Sequence, residues 1–147
     1  FYEGRIAAEA IAGKKTANDA RVIPSVVYTE PEIATCGLSE NDAGQQNRRY
    51  KVVKFPWSAS GRAMTMNGEK GFTKLLIDPD NERILGAGVV GKNAGEIISE
   101  LALAIEMAAT AYDLAWTIHP HPTLSETFME AAEIFLGHPG HIMNKKN

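Results

Sequence analysis

Apolar positions follow two rhythms along this chain, and the change between them predicts the fold. Residues 3–12 open with Ile6, Ala7, Ala10 and Ile11 at helical spacing, and Gly13 provides a helix stop. Residues 22–28 are rich in β-branched side chains and read as a strand, with Pro24 either placing it at an edge or delaying its start. Thr29-Glu30-Pro31-Glu32 reads as a turn, followed by a short strand at 33–37. Ser39 with Asp42 three residues on marks the start of a short helix that ends near Gln46. A strand at 50–55 runs into Pro56-Trp57, and 58–66 reads as an irregular, partly apolar crossing.

Residues 72–77 and 83–90 are two strands joined by Asp78-Pro79-Asp80-Asn81-Glu82, so the pair reads as a hairpin. Asn93, with Glu96 three residues on, predicts a capping box for the longest helix, which runs to about Met107 with a wide apolar face. A short helix at 111–116 follows, then a helix at 123–136 that Gly137 ends. Strands lie mostly early and helices mostly late, which predicts an α+β fold: an antiparallel sheet with helices packed on one side.

Composition narrows the function. At 147 residues and 44% hydrophobic, the chain suits one globular domain with a substantial core. Its net charge of −3 offers no basic face for nucleic acid, and Lys145 and Lys146 read as a solvated tail. No apolar run approaches the roughly 20 residues that span a bilayer. The single cysteine, Cys36, excludes an internal disulfide and fits a cytoplasmic location. The chain begins at Phe1 directly before a helix. Residues 1–21 are therefore expected to be the end of a preceding domain, with 22–147 as the domain proper.

Gly86-Ala87-Gly88-Val89-Val90-Gly91 matches the dinucleotide-binding pattern letter for letter. That pattern works where glycines form the turn between a strand and a helix whose N-terminus faces pyrophosphate. Here they fall inside a predicted strand, which favours close backbone packing. Cys36 reads as a small buried hydrophobe rather than a nucleophile. His138 and His141 lack the partners of a metal site and read as solvated.

The chemistry concentrates in His119-Pro120-His121-Pro122-Thr123-Leu124-Ser125-Glu126. Imidazole is the side chain that exchanges protons near neutral pH, and a carboxylate beside it fixes its tautomer. Two readings of Glu126 stay open at this level. Thr123 and Glu126 form a capping box, in which the carboxylate reaches back to the Thr123 amide. Side chains at a helix start also lean towards the N-terminus, where His121 lies. His119 reads as structural.

The same segment resembles the C-terminal active-site signature of the dihydrolipoamide dehydrogenase family. The resemblance continues in order through Glu3-Gly4-Arg5, Val22-Ile23-Pro24-Ser25, Tyr28-Thr29-Glu30-Pro31-Glu32 and Phe55-Pro56-Trp57-Ser58-Ala59-Ser60-Gly61-Arg62-Ala63. It extends through residues 71–76 and Val90-Gly91-Lys92-Asn93-Ala94-Gly95-Glu96. Pro120 departs from the pattern, where a small residue such as alanine is expected.

The resemblance implies the dimer-interface domain of an FAD- and NAD-dependent disulfide oxidoreductase. It implies that His121 is the acid/base for dihydrolipoamide thiols and that Glu126 orients it. The His121–Pro122 bond would be cis, with backbone contact from His121 and Pro122 to the flavin of the other subunit of a homodimer. A 2-oxo acid dehydrogenase complex, with its lipoyl-bearing acyltransferase, is the implied partner. No cysteine pair or nucleotide-binding domain is present in these residues. FAD and NAD are therefore expected in the full-length enzyme only, and this piece alone is expected to be inactive. A glutathione reductase-like relative and a non-catalytic dimerisation or docking module are the alternatives. The helices at 93–107 and 123–136 are the expected dimer surface.

Overall fold

The computed structural model describes residues 1–142. The tail reading of Lys145 and Lys146 lies outside the described residues. Five antiparallel strands form one sheet in the order β1-β2-β5-β4-β3. They are β1 (Ser25–Val27), β2 (Ile33–Gly37), β3 (Lys51–Pro56), β4 (Phe72–Ile77) and β5 (Ile84–Val90). Helices α1 (Tyr2–Ile11), α2 (Glu40–Gln45), α3 (Gly61–Thr65), α4 (Ala94–Glu106), α5 (Ala111–Trp116) and α6 (Glu126–Leu136) complete the chain. The predicted hairpin is β4–β5, and β5 is the central strand. Pro24 does delay the first strand, which starts at Ser25.

Pleating sorts the sheet's side chains between two faces. Thr73, Leu75 and Ile77 of β4, with Ala87 and Val89 of β5, face the main core. That face is covered by Ile98, Leu101 and Ala104 of α4 and by Phe128, Ala131 and Ala132 of α6. On the opposite face α2 seals a second, small cluster of Ala43, Leu76 and Leu85.

Three local expectations are corrected. The crossing at 58–66 is ordered: a 3-10 turn at Trp57–Ala59 leads into α3, whose first turn is capped by the Ser60 hydroxyl accepting from the Ala63 amide at 3.3 Å. Asn93 does not cap α4. It adopts a left-handed conformation, φ 61°, and its side chain makes no cap hydrogen bond. Glu32, in the β1–β2 turn, takes that role by accepting from the Gly95 amide at 2.9 Å. A carboxylate there also complements the helix dipole. Finally, α6 begins at Glu126 instead of Thr123, because Pro122 to Ser125 form the turn that aims the helix.

Gly86 and Gly88 of the glycine pattern lie within β5, and Gly91 follows its last residue. A Cβ on Gly86 would stand 2.0 Å from the Leu38 carbonyl oxygen, and one on Gly91 would stand 2.1 Å from the Trp57 ring. Close packing explains both glycines without a phosphate.

Candidate active site

A buried chain of hydroxyls sets the position of the segment before α6. The Trp57 indole N–H donates to the Thr73 hydroxyl at 3.0 Å. The Thr73 and Thr127 hydroxyls are 2.7 Å apart, and Thr127 donates to the Leu124 carbonyl at 2.7 Å. Because Thr127 uses its proton on that carbonyl, Thr73 must donate to Thr127, so the chain runs in one direction. Trp57, Thr73 and Thr127 are all fully buried. The sheet thereby holds the start of α6 one residue from Glu126.

Glu126 then satisfies both readings at once. Its Oε2 accepts from the Thr123 amide at 2.6 Å, and its Oε1 lies 2.8 Å from Nδ1 of His121. The threonine half of the capping box is absent: the Thr123 hydroxyl donates to the Pro120 carbonyl at 2.8 Å instead. With the carboxylate accepting at Nδ1, the neutral imidazole carries its lone pair on Nε2. The His121 side chain is 76% exposed and that of Glu126 is 20% exposed. Partial burial pushes the Glu126 carboxyl up. The Thr123 amide, the His121 hydrogen bond and the positive charge of His121 and His119 outweigh it, so the carboxyl titrates below its ordinary range. The result is an exposed imidazole with one ring nitrogen engaged, carried on a hydrogen-bonded turn. The His121–Pro122 bond is cis, as is Glu30–Pro31.

His119 is placed elsewhere. Its Nε2 lies 2.7 Å from Glu100 of α4 and its Nδ1 lies 2.8 Å from the Thr117 carbonyl, with the side chain 4% exposed. Both ring nitrogens are occupied, which fits the structural reading. Cys36 is buried, and burial pushes its thiol up to about 12. That thiol holds almost no thiolate at neutral pH and cannot act as a nucleophile. Among the described residues no group of three or more His, Cys, Asp or Glu side chains could hold a metal ion. No helix among them is long and apolar enough to cross a membrane.

Sequence reasoning missed a second pair. His141 hydrogen-bonds Glu130 through Nδ1 and is not simply solvated. Glu130 and Glu126 are four residues apart on α6, and that spacing was a signal that both carboxylates share one helix face. A cavity of about 170 Å³ is lined by His121, Glu126, Glu130 and His141 together with Phe55 and Met64. A larger cavity of about 410 Å³, beside Arg21, Arg48 and Arg83, contains no such pair.

The model of the pyridine nucleotide-disulphide oxidoreductase dimerisation domain matches residues 23–132. The chain belongs to that family. Within it, dihydrolipoyl dehydrogenase of Buchnera aphidicola is 52% identical over 145 residues, covering 99% of this chain and 31% of that protein. The enzyme of the same name from Haemophilus influenzae is 50% identical, covering 99% of this chain and 30% of that protein. This dimerisation domain thus spans under a third of the length of these relatives.

Among solved structures, LpdA from Mycobacterium tuberculosis superposes with a TM-score of 0.83 at 27% identity, covering 91% of this chain and 29% of that one. An HOCl-induced flavoprotein disulfide reductase from Escherichia coli superposes with a TM-score of 0.81 at 26% identity, covering 88% and 30%. The five-stranded antiparallel sheet with its helices is the fold of this domain family.

Proposed function

We propose that this domain supplies the acid/base pair of a dihydrolipoamide dehydrogenase, with His121 as the proton carrier and Glu126 as its orienting residue. The observation that carries the reading is the 2.8 Å bond between Nδ1 of His121 and Glu126, which leaves Nε2 free on an exposed ring. The names of the relatives point to the substrate.

A thiolate, not a thiol, attacks a disulfide. Nε2 of His121 takes a proton from one thiol of dihydrolipoamide, and the resulting imidazolium is steadied by the Glu126 carboxylate. The thiolate attacks a redox disulfide held elsewhere in the longer protein, and the second thiol closes the lipoamide ring. The dithiol loses two electrons and two protons in all. NAD⁺ accepts two electrons and one proton, and the other proton is released. FAD, when bound, carries the two electrons between disulfide and NAD. This domain offers that cofactor only an edge. His121 and Pro122 are both exposed, so their backbone is open to a flavin held by another subunit.

The site is therefore composite, and the enzyme acts as a homodimer. Apolar side chains left outside the core support this: Leu103 on α4 is 61% and Met107 at its end 72% exposed, while Trp116 is 71% and Ile118 96% exposed. The apolar face of α6 is largely spent on the sheet, which shifts the proposed contact surface towards α4, α5 and residues 116–118. No residue of α1 is buried, in keeping with residues 1–21 packing on another domain of the longer protein. The lipoyl-bearing acyltransferase of a 2-oxo acid dehydrogenase complex is the proposed partner, and the buried free thiol fits a cytoplasmic location.

His121→Gln in the full-length enzyme tests the reading. Oxidation of dihydrolipoamide with NAD⁺ is expected to fall by about 100-fold or more while flavin content stays unchanged. Undiminished turnover overturns the assignment.

A further inference from the structure

The cavity beside His121 is bounded by a second imidazole–carboxylate pair, and that pair has two unusual features. Glu130 is 3% exposed, yet its Oε2 has no hydrogen-bond partner among the described residues. Its Oε1 is held by His141, which arrives from the chain after α6. The turn at 137–140 brings that chain back over the helix, and Gly140 lies against Glu133 and Glu130. A Cβ there would meet their carboxylate oxygens at 3.4 and 3.5 Å. Glu126 and Glu130 are one helical turn apart, so the two pairs share one face and one cavity.

We propose that Glu130 and His141 are positioning residues for the His121–Glu126 pair, with His141, when protonated, balancing a buried carboxylate whose charge would otherwise act on His121. The inference rests on the acid/base role of His121. A buried carboxylate acts strongly on nearby ionisable groups unless a cation beside it offsets its charge. His141 titrates above its ordinary value, chiefly through the hydrogen bond and charge of Glu130, against an opposing effect of burial, with the charges of Glu126 and Glu133 adding less. Glu133 is itself raised, by burial and by the charge of Glu130.

Among the described residues, the ionisable groups facing His141 are Glu126, Glu130 and Glu133 of α6, with His121 across the cavity. The β3–α3 wall contributes apolar groups and the Ser60 hydroxyl. With His141 protonated, the Glu130 pair is neutral overall, and His121 responds chiefly to Glu126. The chain after α6 thereby sets the pH range in which the first pair works.

The test uses the full-length flavoprotein carrying His141→Gln, Glu130→Gln, or both. His141→Gln leaves the Glu130 carboxylate unbalanced, which favours imidazolium at His121. The acid limb of the pH profile of kcat/KM for dihydrolipoamide is expected to move up by about half a pH unit. The double variant removes both charges and is expected to return the limb to its original position. The imidazole NMR titration of His121 in the same proteins reads the coupling without turnover. Lower thermal stability with the pH profile and the His121 titration both unchanged overturns the proposal and leaves a purely structural fastening. Should His121→Gln leave turnover intact, the acid/base reading falls by itself, and the NMR titration still decides whether the two pairs are coupled.

Discussion

Replacing Glu126 with Gln separates the two bonds that this carboxylate makes. The glutamine carbonyl keeps an acceptor for the Thr123 amide, now bonded at 2.6 Å. Its NH₂ then faces Nδ1 of His121, where the carboxylate stood at 2.8 Å. An NH₂ group donates, so Nδ1 must accept, and the ring proton moves to Nε2, the atom required as the base. A hydrogen bond to a charged group contributes about 1.5–3 kcal/mol when shielded. The His121 ring is 76% exposed, and solvent screening reduces this towards about 1–1.5 kcal/mol. That alone is roughly tenfold in rate, and the unfavourable tautomer extends the loss towards about 100-fold.

Folding stability responds differently. Glu126→Gln is expected to cost under about 0.5 kcal/mol, whereas Glu126→Ala, which loses both acceptors, costs about 1 kcal/mol. The Glu126 carboxyl titrates below its ordinary range in the folded chain. Its contribution is therefore present above the unfolded carboxylate pKa and fades as pH falls through the folded one. The stability gap between the parent and Glu126→Ala should narrow accordingly in acid. Steady-state turnover at neutral pH and thermal unfolding between neutral and acid pH provide the assays. Full turnover in Glu126→Gln, or a stability loss equal to that of Glu126→Ala with turnover preserved, refutes the orienting role.

Two further outcomes follow from the packing that supports the site. Thr127→Val leaves the Thr73 hydroxyl without its buried acceptor, while the Leu124 carbonyl loses the hydroxyl and keeps only the Thr127 amide. Urea unfolding is expected to show a loss of about 2–3 kcal/mol, with Thr127→Ser retaining most of the stability. In β5 and just after it, Gly86→Ala and Gly91→Ala drive a Cβ into the Leu38 backbone and the Trp57 ring, and each should cost about 3 kcal/mol or more. Gly88→Ala meets nothing nearer than 3.9 Å and should cost under about 1 kcal/mol, whereas a phosphate-binding loop would make this middle glycine sensitive too.

Periodicity was enough to place most strands and helices, because apolar spacing is a local property of the chain and the sheet needs only one consistently buried face. The residues before α6 also announced their chemistry: a histidine five positions ahead of a glutamate, with proline on each side of it, restricts the segment to few conformations. The sequence could not decide whether Glu126 capped a helix or oriented a base. A carboxylate has two oxygens, and only the path of the turn at 122–125 showed that each has its own partner.

Tertiary structure alone decided three things. The N-terminus of α4 is satisfied by Glu32, 63 residues away, instead of by Asn93 beside it. Trp57, Thr73 and Thr127 meet only because the turn after β3 packs with β4 and α6, so no local pattern could reveal their hydrogen-bond chain. His141 reaches Glu130 only because the turn after Gly137 folds back over α6. Sequence determined which residues could exchange a proton, since that is intrinsic to their side chains. Packing decided which of them share a cavity and which are occupied elsewhere, because burial and partnership belong to the folded chain as a whole.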